Sequence, residues 1–295
     1  MSVTAIDLRS DTVTRPDATM RRAMATAVVG DDAYGEDPTV RKLEETTADL
    51  LGTEATLFVP SGTMGNQIAL HLLAPAGSEV VCEARSHVVL FELGAMATLS
   101  GLLPRTLWAE SGLLTAELVE SAVLPASSLR ARTGVAVVEN THNMAGGTVY
   151  DRAAIDGVLA VARRHRFPVH LDGARLWNAA LALGTSPARL AAGFETVMVC
   201  LSKGLGAPVG SLLVGSRAFI DQARVYRKSL GGGMRQAGVL AAAGLIALEK
   251  MPARCTTTTP TPNFWPRAWR RFQAFAWTRA RSQPISWCLM LPQPA

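Results

Sequence analysis

Short apolar runs alternate with helix-patterned stretches along most of this 295-residue chain, and that alternation leaves few folds open. The runs at 55–59, 79–82, 135–138, 169–171, 196–201 and 211–214 read as strands, mostly buried on both faces. Between them, stretches at 64–73, 88–99, 152–165 and 186–192 carry apolar residues at helical spacing. Strand and helix taking turns predict an α/β fold with a mainly parallel, doubly wound sheet. Ahead of it the pattern predicts a polar arm at 8–16, a short helix at 18–27 and a turn-rich loop at 30–38. A helix follows at 39–51, with Pro38 suited to its first turn and Gly52 to its end. Beyond 219 the chain reads as helix to 228, a turn at Gly231, Gly232 and Gly233, and helix again over 236–250.

Two of these strands deliver charge to one place. The strand at 196–201 runs into Ser202, Lys203 and Gly204, and the strand at 169–171 ends in Asp172, Gly173, Ala174 and Arg175. A cation at the end of an apolar strand is costly unless it has a partner or a chemical task. In open α/β sheets ligands bind at the carboxyl edge of the strands, where these side chains emerge. An amine there can form a Schiff base, and a carboxylate can hold a protonated pyridine nitrogen. The combination reads as a site for pyridoxal 5′-phosphate.

Other residues fit the same reading. Ser61, Gly62 and Thr63 follow a strand and open a helix, so their amides and hydroxyls suit an anion. Taken alone they would read as ordinary helix caps; Lys203 shifts the balance, because the cofactor's phosphate must be held. His87 opens the next helix and is expected to stack on the cofactor ring or act as an acid–base group, although by itself it would pass for a capping histidine. His142 follows the strand at 135–138 and suits proton transfer at the substrate. Asp172 matches a partner for the ring nitrogen. The planar fork of Arg175 suits either the ring oxygen or a substrate carboxylate. Lys228 and Arg235 flank the triple glycine and suit phosphate, across a subunit interface or as a plain basic loop.

Charge and cysteine usage bound the rest. The net charge of +5 comes from five arginines after Cys255, where there is no Lys, Asp or Glu; the remainder holds 24 basic and 24 acidic residues. The four cysteines, Cys82, Cys200, Cys255 and Cys288, show no paired spacing, which argues against a disulfide framework or a zinc site and for the cytoplasm. No secretory signal, metal site, membrane span or nucleic-acid partner is expected. From Cys255 the character breaks: four of the six Trp, six of the 16 Pro and a run of four Thr share a stretch without periodicity. A frameshift would account for that break. The expected organisation is an arm with helices at 1–52, a cofactor-binding large domain at 53–250, and an aberrant, disordered Arg-, Trp- and Pro-rich tail at 251–295.

Taken in order, the segments 7–16, 30–38, 59–66, 139–143, 170–175, 200–204 and 230–238 resemble the L-threonine aldolases, in the β-eliminating lyase superfamily. The likeness runs from Ile6 to about Lys250. It implies the pyridoxal-phosphate-dependent transferase-like fold type I, the aspartate aminotransferase fold. It also implies cleavage of L-threonine or L-allo-threonine to glycine and acetaldehyde, and a homodimer or homotetramer. By the resemblance, Lys203 is the Schiff-base lysine, Asp172 the ring-nitrogen partner and His87 the stacking residue, with His142 near the substrate hydroxyl. Gly62 and Thr63 bind phosphate, Ser10 and Arg175 hold the substrate carboxylate, and Lys228 and Arg235 reach a neighbouring subunit's phosphate. The family's small C-terminal domain, which supplies a further carboxylate-binding Arg, is expected to be missing. The alternative is then an inactive remnant that still binds the cofactor.

Overall fold

The computed structural model describes residues 7, 9–123 and 127–258, with side chains through 250. The strands are β1 (Ala55–Val59), β2 (Glu79–Glu83), β3 (Leu103–Leu107), β4 (Thr133–Glu139), β5 (Val169–Gly173), β6 (Thr196–Cys200) and β7 (Ser211–Gly215). The helices are α1 (Ala18–Ala25), α2 (Pro38–Leu51), α3 (Gly62–Leu73), α4 (His87–Leu90), α5 (Ala95–Ser100) and α6 (Ala116–Ala122). They continue with α7 (Arg152–His165), α8 (Leu176–Ala182), α9 (Pro187–Ala191), α10 (Arg217–Ser229) and α11 (Gly238–Thr258).

One seven-stranded sheet runs in the order β1-β7-β6-β5-β4-β2-β3. The pairs from β6 through β3 are parallel, and β7 lies antiparallel to both β6 and β1. Reversing direction twice, at β7 and again at β1, leaves β1 pointing the same way as β2, β4, β5 and β6. The carboxyl ends of all five therefore meet one edge. Every residue of β1, β5, β6 and β7 is buried, as strands covered by helices on both faces require. Each Val or Leu fully sequestered there contributes about 1.5–3 kcal/mol.

Local chemistry sets the helix ends. Asp37 accepts from the amides of Thr39 and Val40, both at 3.0 Å, and Pro38 opens α2. Val40, Leu43, Thr47, Ala48 and Leu51 then form its buried face, and Gly52 closes it in the left-handed region at φ 66°. Ser61, Asp151 and Ser216 cap α3, α7 and α10 in the same manner.

The structure departs from the expected pattern at four points. The helix expected over 88–99 is two helices, because Leu93 (φ 52°) and Gly94 (φ 72°) turn left-handed between them, and Glu92 turns inward. Strand β3 escapes the pattern because it is an edge strand with Pro104 in it and no buried residue. Helices α6 and α8 are additional. Backbone helix α11 runs past 250 to Thr258, while the tail from 259 lies outside the described residues. Among the described residues no helix is long and apolar enough to cross a membrane.

Candidate active site

The carboxyl edge of the sheet gathers Lys203, Asp172, His87 and the Ser61–Thr63 turn. Strand β1 leads into the first turn of α3, where Ser61 Oγ accepts from Met64 N at 3.2 Å. The amides of Gly62 and Thr63 have no carbonyl one turn back to bond, which makes this turn an anion cradle. A Cβ on Gly62 would stand 3.0 Å from Cys200 Sγ and 3.1 Å from Met198 Cε. The cradle is thus pressed against the end of β6, two residues short of the turn that carries Lys203. Lys203 itself is partly exposed. Its carbonyl accepts from Gly206 N at 2.9 Å and from Thr14 Oγ1 at 3.0 Å, so the N-terminal arm is tied to this turn.

Asp172 ends the buried face of β5 at 2% exposed. Its Oδ1 accepts from Ala174 N at 3.1 Å and its Oδ2 from Asn66 Nδ2 at 2.9 Å. The same Asn66 nitrogen donates to Glu92 Oε1 at 2.8 Å, and Gln67 Nε2 donates to Glu92 Oε2 at 2.6 Å. His87 joins through Nδ1, 2.8 Å from Glu92 Oε1; since the carboxylate accepts, Nδ1 carries the proton. Burial works to lower the pKa of His87. The Glu92 hydrogen bond and the charges of Asp172 and Glu92 outweigh burial and the opposing Lys203 charge, so the pKa lies above the usual value. Ligand atoms of His87, Glu92 and Asp172 lie within 4.8 Å of one another. The group between the two carboxylates is the Asn66 amide.

Glu139, at the end of β4, accepts from His87 N at 2.7 Å and from Asn143 N at 2.9 Å, bracing the two histidine-bearing turns. Burial first and the charge of Asp172 second push its pKa up. His142 is turned inward and is 1% exposed. Its Nδ1 accepts from Ala145 N at 3.3 Å, and its Nε2 lies 3.0 Å from Glu83 Oε2 without hydrogen-bond alignment. The structure therefore links His142 to the cluster through Glu139 and the turn backbone, not by direct contact.

Arg175 is committed to a carboxylate that the sequence reading passed over: Asp11. Ser10 is next to it, capping the short 3-10 turn Asp11–Val13 by accepting from Thr12 N at 3.2 Å. Lys228 and Arg235 lie on the surface beside Asp31. Both are exposed, Arg235 Nη1 donates to Asp31 Oδ2 at 2.8 Å, and the charge of Lys228 acts on the same Asp31. Their triple-glycine turn does reach α3: a Cβ on Gly232 would collide with Met64 Sδ. Asn66, Glu92, Glu139 and His170 also belong to the site and were given no role from sequence. One signal was available, since strand periodicity puts His170 and Asp172 on one face of β5.

The donor set suits pyridoxal phosphate: an amine, a buried carboxylate and a helix-start anion cradle share one edge. Residues 7–277 match the family described as beta-eliminating lyase. A low-specificity L-threonine aldolase of Arabidopsis thaliana is 47% identical over 254 residues, 85% of this chain and 71% of that protein. A low specificity L-threonine aldolase of Escherichia coli K12 is 44% identical over 250 residues, 84% of this chain and 74% of that protein. Among solved structures, the threonine aldolase of Leishmania major superposes with a TM-score of 0.74 at 23% identity, covering 83% of this chain and 73% of that one.

Proposed function

This chain belongs to the beta-eliminating lyase family, with fold type I architecture, and on that premise we propose that it cleaves L-threonine or L-allo-threonine to glycine and acetaldehyde. One observation carries the reading: Lys203, Asp172, His87 and the Ser61–Thr63 turn emerge from the carboxyl ends of β6, β5, β2 and β1 at a single edge. Pyridoxal phosphate, when bound, supplies a carbonyl that amines condense with and a ring that accepts electrons. Lys203 is assigned as the amine that holds it, and Gly62 and Thr63 as the donors to its phosphate. Asp172 is assigned to the ring nitrogen, where a fixed negative charge favours a proton on that atom. His87 is assigned to the ring face. Lys228 and Arg235 are assigned to the phosphate held by a second copy of the chain.

The substrate's carboxylate is assigned to Arg175, whose guanidinium Asp11 orients, and to the Ser10 hydroxyl. His87 or His142 takes the β-hydroxyl proton as the Cα–Cβ bond breaks, and Cα regains a proton to give glycine. The raised pKa of His87 makes its ring a stronger base than an ordinary imidazole. Acetaldehyde release from L-threonine and from L-allo-threonine, by the purified full chain with added pyridoxal phosphate, tests the proposal. Release from neither, with the cofactor bound, would leave a cofactor-binding protein without aldolase activity.

A further inference from the structure

His170 and Asn66 take no part in the chemistry assigned above, yet both are fully buried beside it, at 0% exposed. Their side-chain hydrogen bonds fit together under one proton assignment. Asn66 Nδ2 faces two carboxylate oxygens, Glu92 Oε1 at 2.8 Å and Asp172 Oδ2 at 2.9 Å, so both amide hydrogens are spent there. Asn66 Oδ1 lies 3.0 Å from His170 Nε2 and must accept from it. Burial pushes the pKa of His170 down to about 4, so the ring is neutral and has a single proton, on Nε2. His170 Nδ1 is then an acceptor, and Thr196 Oγ1 at 2.8 Å is its donor. Turning the amide over would set an oxygen against two carboxylates and one N–H against another.

We propose that His170 and Asn66 are positioning residues, a one-way chain of hydrogen bonds from Thr196 that locks the Asn66 amide between Asp172 and Glu92. The lock holds two neighbouring carboxylates as acceptors, with Asp172 fixed by Asn66 on Oδ2 and by the Ala174 amide on Oδ1. Through Glu92 it also fixes His87 with its proton on Nδ1 and leaves Nε2 for other partners. The inference rests on the proposed function only in what Asp172 and His87 are for. The bonding pattern itself is independent of turnover.

Nitrogen-15 NMR of the five histidines in the full chain reads the pattern directly. His170, identified by its loss in His170→Gln, is expected as the neutral Nε2–H tautomer from pH 8 to pH 5. An Nδ1–H tautomer, or a cationic ring at pH 7, overturns the proposal whether or not any variant folds. Asn66→Leu removes both amide hydrogens, so the two carboxylates come to share a proton. His87 faces Glu92, Asp172, Lys203 and Glu139, and losing one negative charge among these lowers its titration midpoint by about one pH unit. An unmoved midpoint in a folded Asn66→Leu protein also overturns it. His170→Gln, which keeps an N–H for Asn66, is expected to hold the original His87 midpoint, and His170→Phe to shift it; equal behaviour of the two counts against the relay. Failure to release acetaldehyde would remove the proposed reaction and leave these readouts standing.

Discussion

Asp11 grips Arg175 with both carboxylate oxygens, 2.9 Å to Nε and 2.7 Å to Nη2, across 164 residues of sequence. The two side chains are 7% and 8% exposed. Paired in this parallel fashion, the guanidinium plane is fixed before any ligand arrives. Asp11→Ala leaves a buried cation without its carboxylate, and the expected loss is about 3 kcal/mol of stability. A urea unfolding midpoint within error of the parent would show that the pair is not energetically coupled.

Lys203→Ala should abolish the visible absorbance band that forms when pyridoxal phosphate is added to the parent protein. The amine that condenses with the cofactor's carbonyl is gone, while Asp172 and the cradle remain to bind it noncovalently. A band of the same position and intensity in the variant would assign the Schiff base to another lysine.

His170 couples stability to pH. Its folded pKa of about 4 lies below the ordinary 6.5, so between these values the unfolded chain binds the extra proton. The contribution is complete above pH 6.5 and is lost as pH falls toward 4, with a slope of up to about 1.4 kcal/mol per pH unit. Unfolding free energies measured from pH 7 to pH 4 should fall less steeply for His170→Gln than for the parent. Parallel curves would contradict a neutral buried ring.

Gly62→Ala probes the cradle. The new methyl would meet Cys200 Sγ at 3.0 Å and Met198 Cε at 3.1 Å, so these side chains or the first turn of α3 must shift. Overpacking of this kind costs about 1–3 kcal/mol, and affinity for pyridoxal phosphate should drop along with it. Unchanged cofactor affinity in fluorescence titration would place the phosphate somewhere else.

Much of this architecture is written in local pattern. β1 and β4 to β7 are apolar runs because both faces are covered, and Asp172 and Lys203 stand out as charged residues at or just past the carboxyl ends of β5 and β6. The break between α4 and α5 was hidden because Glu92 sits in a stretch otherwise suited to one helix. Its reason for turning inward is the pair Asn66 and Gln67, far away in sequence. Asp11 was hidden for a similar cause: one acid in a polar arm carries no mark of the Arg175 it meets. Asn66 and Gln67 left a fainter trace, as polar residues on the buried stretch of an apolar helix. Contacts between distant polar residues leave no periodicity, so pattern alone cannot disclose them.

The position of β1 at the edge of the sheet has a consequence for how the protein is made. Its sheet partner among the described residues is β7, whose residues are synthesised long after those of β1. At ribosomal speeds of about 5–20 residues per second, the apolar run at 55–59 waits roughly 8–30 seconds for its mate. During that interval Leu57, Phe58 and Val59, all fully buried in the finished fold, have no strand to pair with. Nascent chains of this protein should therefore depend on holding chaperones until Ser211–Gly215 leaves the exit tunnel, and slower translation lengthens the time at risk.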